Sequence, residues 1–187
     1  VWSAFMKPGK RIKVGDRIPS SMLGVMTPEG PRPVSSDDVF KGKTVAVFAV
    51  PGAFTPTCSA RHLPGFKDKR QDLAAKGVDT VACLSVNDPF VMGAWAQSQD
   101  VSGDEIMMLA DGNGDLTRAL GLSMDATGFG MGERSQRYSM LVKDGVVEQL
   151  NVEQGGEFKV SSAEHLLAQL WSLCAIARDA VPRCLSA

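Results

Sequence analysis

Two short apolar runs, KTVAVFAV (Lys43–Val50) and VDTVACLSV (Val78–Val86), constrain the fold more than any other feature of the sequence. Each has few polar positions, which is typical of a strand that is buried on both faces of a parallel sheet. A segment of helical periodicity joins them, from about Pro56 to Lys76. We expect a kink in this helix at Pro64-Gly65 and its end at Gly77. Two buried strands joined by a helix predict an α/β domain with a parallel core.

The rest of the chain continues this alternation and adds a hairpin. The further predicted elements are a helix over Asp88–Gln99 capped by Asn87 or Asp88, a strand over Ile106–Leu109, a short helix over Gly114–Leu120, a hairpin of Tyr138–Lys143 and Val146–Val152 around Asp144-Gly145, and a helix from Ser161 or Ser162 to Ala177. This order predicts a three-layer α/β sandwich with a central mixed β-sheet, the thioredoxin-like arrangement. Residues 1–42 hold short apolar pieces between turn residues, and we expect an irregular arm with one or two short strands. One domain is expected over residues 1–170, followed by a C-terminal extension over residues 171–187.

The composition excludes several classes of function. The chain has 187 residues and a net charge of −1, which argues against nucleic acid or an anionic membrane as the main partner. No apolar run approaches the ~18 residues of a membrane span. The four cysteines, Cys58, Cys83, Cys174 and Cys184, lie far apart without a CxxC pair. This spacing argues against a structural zinc site and a disulfide scaffold, and it favours a reducing compartment.

The compartment itself is left open by the sequence. The chain begins at Val1 rather than at Met, so a targeting segment could precede it. The cytoplasm and an organelle such as a mitochondrion or plastid therefore both remain candidates. No binding site for a metal, haem or flavin is visible in the sequence, and we expect no cofactor.

The stretch VPGAFTPTCSAR, which follows the first predicted strand, places a cysteine at the start of a helix. Thr55 suits the N-cap and Pro56 the first helical position, so Cys58 falls at the third. There the thiol meets unpaired backbone N–H groups and the positive end of the helix dipole, which favour the nucleophilic thiolate. A lone cysteine is more often a small buried hydrophobe. The polar, turn-forming surroundings and the end of a parallel strand nevertheless favour a functional role.

The same stretch resembles a known active-site pattern. The run P-G-A-F-T-P-T-C, from Pro51 to Cys58, is similar to the P-x-x-x-T-x-x-C pattern of peroxiredoxins. The runs VPGAFTPTCSARHLPGF, KGVDTVACLSVNDPFVMGAW and RYSMLVKDGVVEQLNVE resemble the type II (subfamily five, atypical) peroxiredoxins, and the similarity extends roughly from Ile12 to Leu170. This resemblance implies a thiol-dependent peroxidase that reduces hydrogen peroxide and small alkyl hydroperoxides in antioxidant defence. It also implies a homodimer.

The resemblance assigns roles to four residues. Cys58 matches the peroxidatic cysteine, whose thiolate attacks the peroxide and becomes a sulfenic acid. Thr55 matches the threonine whose hydroxyl holds the thiolate and the peroxide, and Pro51 matches the proline that shields them from water. Arg137 matches the arginine that stabilises the thiolate and polarises the substrate, and Arg134 suits this role less well.

Four further residues are expected around this centre. His62 lies four residues after Cys58 on the same helix face, and we interpret it as a hydrogen-bond donor in support of the site. Gly52, Phe54 and Phe129 are candidate residues of the substrate pocket, although apolar residues are more often part of the core.

The resolving thiol is the point at which this sequence departs from part of the family. Some members carry a resolving cysteine just after the strand that ends in LNVE, whereas this chain has Ser161 and Ser162 in that region. Cys83 and Cys174 fit packed positions, and Cys184 lies near the terminus, where a mobile thiol could reach Cys58. We expect a one-cysteine mechanism in which glutathione, glutaredoxin or thioredoxin reduces Cys58.

Other functions remain as alternatives. A redox sensor would use oxidised Cys58 to signal to a partner protein, and it would not turn over with a small thiol. A cysteine hydrolase using Cys58 and His62 is disfavoured, because one turn of a single helix is poor geometry for a dyad and no third group is evident. A thioredoxin-type disulfide reductase would need the missing CxxC.

Overall fold

The computed structural model describes residues 10–170 and contains nine strands and six α-helices in that range. The strands are β1 (Met22–Thr27), β2 (Gly30–Ser35), β3 (Thr44–Ala49), β4 (Thr80–Ser85), β5 (Met107–Ala110), β6 (Ser123–Asp125), β7 (Glu133–Ser135), β8 (Tyr138–Lys143) and β9 (Val146–Val152). The helices are α1 (Ser36–Phe40), α2 (Leu63–Asp68), α3 (Arg70–Ala75), α4 (Pro89–Ser98), α5 (Asp115–Ala119) and α6 (residues 163–170). A π-helical turn spans Cys58–His62, and a 3₁₀ turn spans Thr127–Phe129.

Seven of the strands form one mixed sheet in the order β2-β1-β5-β4-β3-β8-β9, and β6 and β7 form a separate ribbon. The strands β3, β4 and β5 are parallel, whereas β8 and β9 add an antiparallel hairpin beside β3. This hairpin turns at Asp144-Gly145, where both residues have positive φ as a tight turn requires. The predicted mixed sheet and its hairpin are therefore confirmed.

The sheet has an apolar core on each face. Phe66, Trp95 and Leu166 belong to the core that packs α2, α4 and α6 against one face. Phe40 and Leu116 belong to the core that packs α1 and α5 against the other face. Helices on both faces give the three-layer, thioredoxin-like fold that the element order predicts. Within residues 10–170, no helix combines the length and apolarity needed to cross a membrane.

The N-terminal segment contains two short strands, as the sequence predicts, and they extend the central sheet. Strands β1 and β2 pair over their full length, from Met22↔Ser35 to Thr27↔Gly30, and β1 joins the central sheet at Gly24↔Ala110. A Cβ atom on Gly24 would lie 2.9 Å from Cγ of Pro89, so only glycine lets this strand approach α4 so closely. The prolines of β2 suggested an irregular arm, but β2 is an edge strand, where a missing N–H is tolerated.

The helix that carries the cysteine is distorted before the predicted kink. It begins at Pro56 as expected, but the N–H of Leu63 donates to the carbonyl of Cys58, five residues back. Pro64 has no N–H for the carbonyl of Ala60, and its ring disfavours an ordinary turn there. The disturbance that proline causes thus falls on the turn before it, as the π-helical turn of Cys58–His62. The kink at Pro64-Gly65 itself stays a prediction. The boundary proposed at residue 170 stays a prediction, since residues 1–9 and 171–187 lie outside the described range.

Candidate active site

Cys58 lies beyond the carboxyl end of β3, at the first residue of the π-helical turn. Its side chain is fully buried and packs within the first apolar core. Its Sγ atom accepts a hydrogen bond from Nη2 of Arg137 at 3.2 Å. The cysteine that the sequence singled out is therefore paired with a cation, which distinguishes it from a thiol that serves only as packing.

Arg137 reaches this position because of strand pairing. It immediately precedes β8, and the register Ala49↔Tyr138 brings it to the end of β3 near which Cys58 begins its helix. The side chain is only 8% exposed. Among residues 10–170, no carboxylate forms an ion pair with its guanidinium. A thiolate at Cys58 would therefore supply the counter-charge that this buried cation lacks.

His62 links Arg137 to the neighbouring loop. Its Nδ1 atom lies 3.0 Å from Nη1 of Arg137, and its Nε2 atom lies 3.0 Å from the carbonyl oxygen of Ser161. Because an arginine only donates and a carbonyl only accepts, the ring is neutral and carries its proton on Nε2. Burial, followed by the charge of Arg137, lowers the pKa of His62 to about 3. The ring therefore donates to the carbonyl of Ser161 and accepts from Arg137.

The geometry around His62 also bears on the hydrolase alternative. The lone pair of Nδ1 is occupied by Arg137, and it is Arg137 that contacts Cys58. The ring packs against Phe48 and Phe66, at centroid distances of 5.0 and 5.7 Å. His62 is thus held as a neutral support for Arg137 and does not form a cysteine–histidine dyad.

Glu153 anchors the loop that carries Ser161, and sequence reasoning missed it. Its Oε1 atom accepts hydrogen bonds from the backbone N–H of Lys159 at 2.6 Å, and from the N–H and hydroxyl of Ser161 at 2.8 Å each. Its own N–H donates to the carbonyl of Arg137 at 2.9 Å. Burial opposes ionisation, but the hydrogen bonds from Ser161 and Lys159 outweigh it and lower the pKa of Glu153. Its only sequence signal was its place at the end of LNVE, which does not reveal that the carboxylate is buried.

The turn before the helix is closely packed around Gly52. The hydroxyl of Thr55 donates to the carbonyl of Gly52 at 2.8 Å, so Thr55 stands at the predicted cap position without capping the helix through its side chain. A Cβ atom on Gly52 would lie 3.1 Å from Cε of Met131 and 3.3 Å from Cγ2 of Thr55. Pro51, which opens this turn, is half-buried. These contacts bring the PGAFT turn against the loop that contains Met131.

The two phenylalanines predicted as pocket residues lie on the surface. Phe54 is 55% exposed and has a φ of +62°, an unusual value for a bulky residue, and Phe129 is 83% exposed. Their exposure places them outside any enclosed pocket of the single chain. Arg134 donates to the carbonyls of Met131 and Val86, and therefore holds the loop between β6 and β7 rather than the thiol.

Of the three candidate resolving cysteines, the structure describes Cys83. Cys83 lies in the middle of β4, opposite Phe48, and is fully buried. Burial, and then the proximity of Cys58, raise the pKa of Cys83, which disfavours its thiolate. Cys58 and Cys83 are both free thiols. Cys174 and Cys184 lie outside the described residues, so their expected roles stay predictions.

Phe158 is a second neighbour of the site that sequence reasoning did not find. Its ring meets the His62 ring edge-on at a centroid distance of 5.1 Å. The guanidinium carbons of Arg61 and Arg137 lie 4.8 and 5.9 Å from its centroid. No sequence pattern marks this residue, since its contacts come from a loop that folds back over the helix.

Comparison with known proteins places this geometry in a family. The Redoxin family model matches residues 13–167. The chain is 50% identical to Peroxiredoxin-2E-2, chloroplastic, of Oryza sativa subsp. japonica, over 85% of this chain and 72% of that protein. It is 44% identical to Peroxiredoxin-2B of Arabidopsis thaliana, over 85% of this chain and 98% of that protein.

A solved structure agrees with these sequence relatives. Reduced Prx3 of Vibrio vulnificus, in complex with H₂O₂, superposes with a TM-score of 0.81 at 52% identity, covering 85% of this chain and 99% of that one. The family match spans most of the described chain, and the relatives share its sequence and its fold. The protein therefore belongs to the Redoxin family, within the peroxiredoxins, and is a thiol peroxidase.

Proposed function

We propose that Cys58 is the peroxidatic cysteine and that its substrates are hydrogen peroxide and small alkyl hydroperoxides. The thiolate attacks the nearer peroxide oxygen, a sulfur–oxygen bond forms and the O–O bond breaks. The other oxygen takes a proton and leaves as water or an alcohol, and Cys58 becomes a sulfenic acid. The enzyme would serve antioxidant defence and redox homeostasis.

The observation that carries this proposal is the 3.2 Å contact between Nη2 of Arg137 and Sγ of Cys58. A buried guanidinium without a carboxylate partner in residues 10–170 favours a negative charge on the sulfur and on the departing oxygen. A charge that is already fixed in a buried site stabilises the transition state more than the same charge in water, because it does not have to reorient during the reaction. His62 orients the guanidinium, and Glu153 orients His62 through Ser161.

Thr55 and Pro51 are proposed to hold the substrate. The proton of the Thr55 hydroxyl is engaged by the carbonyl of Gly52 at 2.8 Å. Its oxygen therefore retains lone pairs that can accept the O–H of an incoming hydroperoxide. Pro51 opens the same turn and has no N–H group, so it would shield the sulfur without competing for the peroxide.

An external thiol is proposed to complete the cycle. The thiol condenses with the sulfenic acid, which forms a mixed disulfide and releases water. A second thiol then attacks the mixed disulfide, so that Cys58 returns to its reduced form and a disulfide of the two external sulfurs leaves. Burial of Cys83 and the serine at position 161 support this route, with glutathione, glutaredoxin or thioredoxin as the reductant.

A homodimer in a reducing compartment is proposed for the assembly and location. Phe54, Phe90 and Phe129 are 55%, 64% and 83% exposed, and exposed aromatic side chains are typical of a contact surface. The N–H of Ala53 donates to Oδ1 of Asn87 at 3.0 Å, which joins the turn that carries Phe54 to the segment just before α4, the helix that carries Phe90. The free thiols and a relative whose name places it in the chloroplast support the cytoplasm or an organelle as the compartment.

The test is intact-mass spectrometry of the reduced protein within seconds of adding one equivalent of hydrogen peroxide. The wild type is expected to gain one oxygen, which glutathione then removes, whereas Cys58→Ser gains none. Cys83→Ala serves as the matched control and should behave as the wild type. An unchanged wild type in the presence of remaining peroxide would refute the role of Cys58. Loss of two hydrogens instead would show a disulfide and refute the one-cysteine route, and an oxidised form that small thiols cannot reduce would favour the redox sensor.

A further inference from the structure

Arg61 is an exposed cation beside the active site that the proposed peroxide chemistry does not use. It lies in the π-helical turn, three residues after Cys58, and its side chain is exposed. Among residues 10–170, the side chain of Arg61 forms no hydrogen bond or ion pair, and its guanidinium carbon lies 4.8 Å from the centroid of the Phe158 ring. The guanidinium is thus held in place by an aromatic face while its N–H donors stay available.

Phe158 connects this free cation to the catalytic centre. Its ring lies within 6 Å of both the Arg61 and the Arg137 guanidinium carbons, and it also contacts the ring of His62. The ring therefore contacts one buried arginine, which donates to Cys58, and one exposed arginine whose side chain has no polar partner within residues 10–170. A ligand from solution can contact Arg61, whose side chain is exposed, whereas Arg137 is only 8% exposed.

The other charges on this side are already paired. The ammonium group of Lys159 forms an ion pair with Glu157 at 2.8 Å. The carboxylate of Glu153 is only 6% exposed and accepts three hydrogen bonds. The charge left without a partner around Phe158 is therefore positive, which favours an anionic ligand.

We propose that Arg61 and Phe158 form the recognition site for the reducing thiol, and that this thiol is a small molecule bearing carboxylates, of which glutathione is the probe. The inference rests on the proposed function, because it concerns the step after sulfenic acid formation. Arg61 pairs with a carboxylate of the thiol, as a planar guanidinium does well. The thiol sulfur then bonds to Sγ of Cys58 while the hydroxyl of the sulfenic acid leaves as water.

The burial of the sulfur favours a small thiol over a protein. Cys58 is fully buried and Arg137 is only 8% exposed, so the reducing sulfur must enter an enclosed position. A tripeptide thiol can enter while its carboxylate remains at the exposed Arg61. A protein thiol would need a larger opening of the helix that carries Cys58.

The test compares glutathione with its diethyl ester, in which both carboxylates are blocked, in a single turnover. Protein oxidised with one equivalent of hydrogen peroxide is mixed with each thiol and quenched with an alkylating agent. The loss of sulfenic acid is then followed by intact mass. For Arg61→Gln, the rate constant with glutathione is expected to fall about fivefold, the scale of one exposed charge pair, while that with the ester is unchanged. Arg61→Glu should lower the glutathione rate further, and added salt should reduce the difference between wild type and Arg61→Gln.

Arg32→Gln is the matched control, since it removes the same charge from the distant edge strand β2, where Arg32 is 63% exposed. This control should retain the wild-type rates with both thiols. An equal loss with glutathione and the ester in Arg61→Gln would overturn the proposal, because it would mean a disturbed helix. No loss with glutathione would also overturn it. A wild type that forms no sulfenic acid would refute the proposed function itself, a result that the mass spectrum separates from both other outcomes.

Discussion

Acidification tests how His62 is held in the active site. Burial and the charge of Arg137 lower the pKa of His62 from 6.5 to about 3 in the folded protein. In the unfolded chain the imidazole returns to its ordinary value, so between these two values the unfolded chain binds a proton that the folded protein does not. The free energy of unfolding should therefore fall as the pH falls through this window. The contribution of neutral His62 to stability is fully present at pH values above 6.5, the pKa of the imidazole in the unfolded chain.

The size of the effect follows from the shift. From about pH 7 to about pH 4, His62 alone should cost ~3 kcal/mol of unfolding free energy, at about 1.4 kcal/mol per unit of pKa. His62→Gln retains one donor and one acceptor but cannot take the proton. Its loss of packing against Phe48 and Phe66 should make it less stable by ~1–3 kcal/mol at about pH 7. On acidification, however, it should lose ~3 kcal/mol less than the wild type.

Urea denaturation followed by circular dichroism at the two pH values measures this difference. Protonation of carboxylates such as Glu153 also lowers the free energy of unfolding, but it affects both proteins equally and cancels in the comparison. His165→Gln, which removes the only other imidazole of the chain from a partly exposed position, is the matched control. Equal acid destabilisation of the wild type and His62→Gln would refute the reasoning. It would mean that His62 takes a proton in the folded protein and leaves Arg137.

Three further predictions concern the active site and two buried residues of the sheet and its loops. Arg137→Gln should slow oxidation of Cys58 by hydrogen peroxide by about 10²–10³-fold in stopped-flow measurements, since it removes the charge beside the sulfur; a change below about threefold would contradict this role. The buried carboxylate of Asp111 accepts hydrogen bonds from the N–H groups of Leu116 and Thr117 at the start of α5. Asp111→Ala should therefore lower the free energy of unfolding, measured by denaturation, by ~2–4 kcal/mol. A loss below about 1 kcal/mol would show that water replaces the carboxylate. Cys83→Ala should cost ~1 kcal/mol of stability, yet keep its steady-state turnover with glutathione within about twofold of the wild type, and loss of turnover would instead assign Cys83 to the cycle.

The central sheet and the position of Cys58 could be predicted because their signals are local. Buried strands are marked by continuous apolar runs, and the hairpin is marked by Asp144-Gly145. The start of the helix at Pro56 follows from the restricted backbone of proline. Local turn residues predict the short strands of residues 1–42, but they do not reveal that β1 and β2 pair with each other at the edge of the central sheet.

The charged and polar groups around the sulfur of Cys58 are brought there by the tertiary structure. The resemblance named Arg137, but its contact with Cys58 joins residues 79 positions apart and depends on the pairing of β3 with β8. The neutral state of His62 and the buried carboxylate of Glu153 likewise depend on desolvation and on donors from distant loops. Local sequence signals are enough to place the thiol at the start of a helix, because strand and helix patterns act over neighbouring residues. Only the fold decided which charges meet that thiol, because burial and long-range strand pairing set the energies of charged groups.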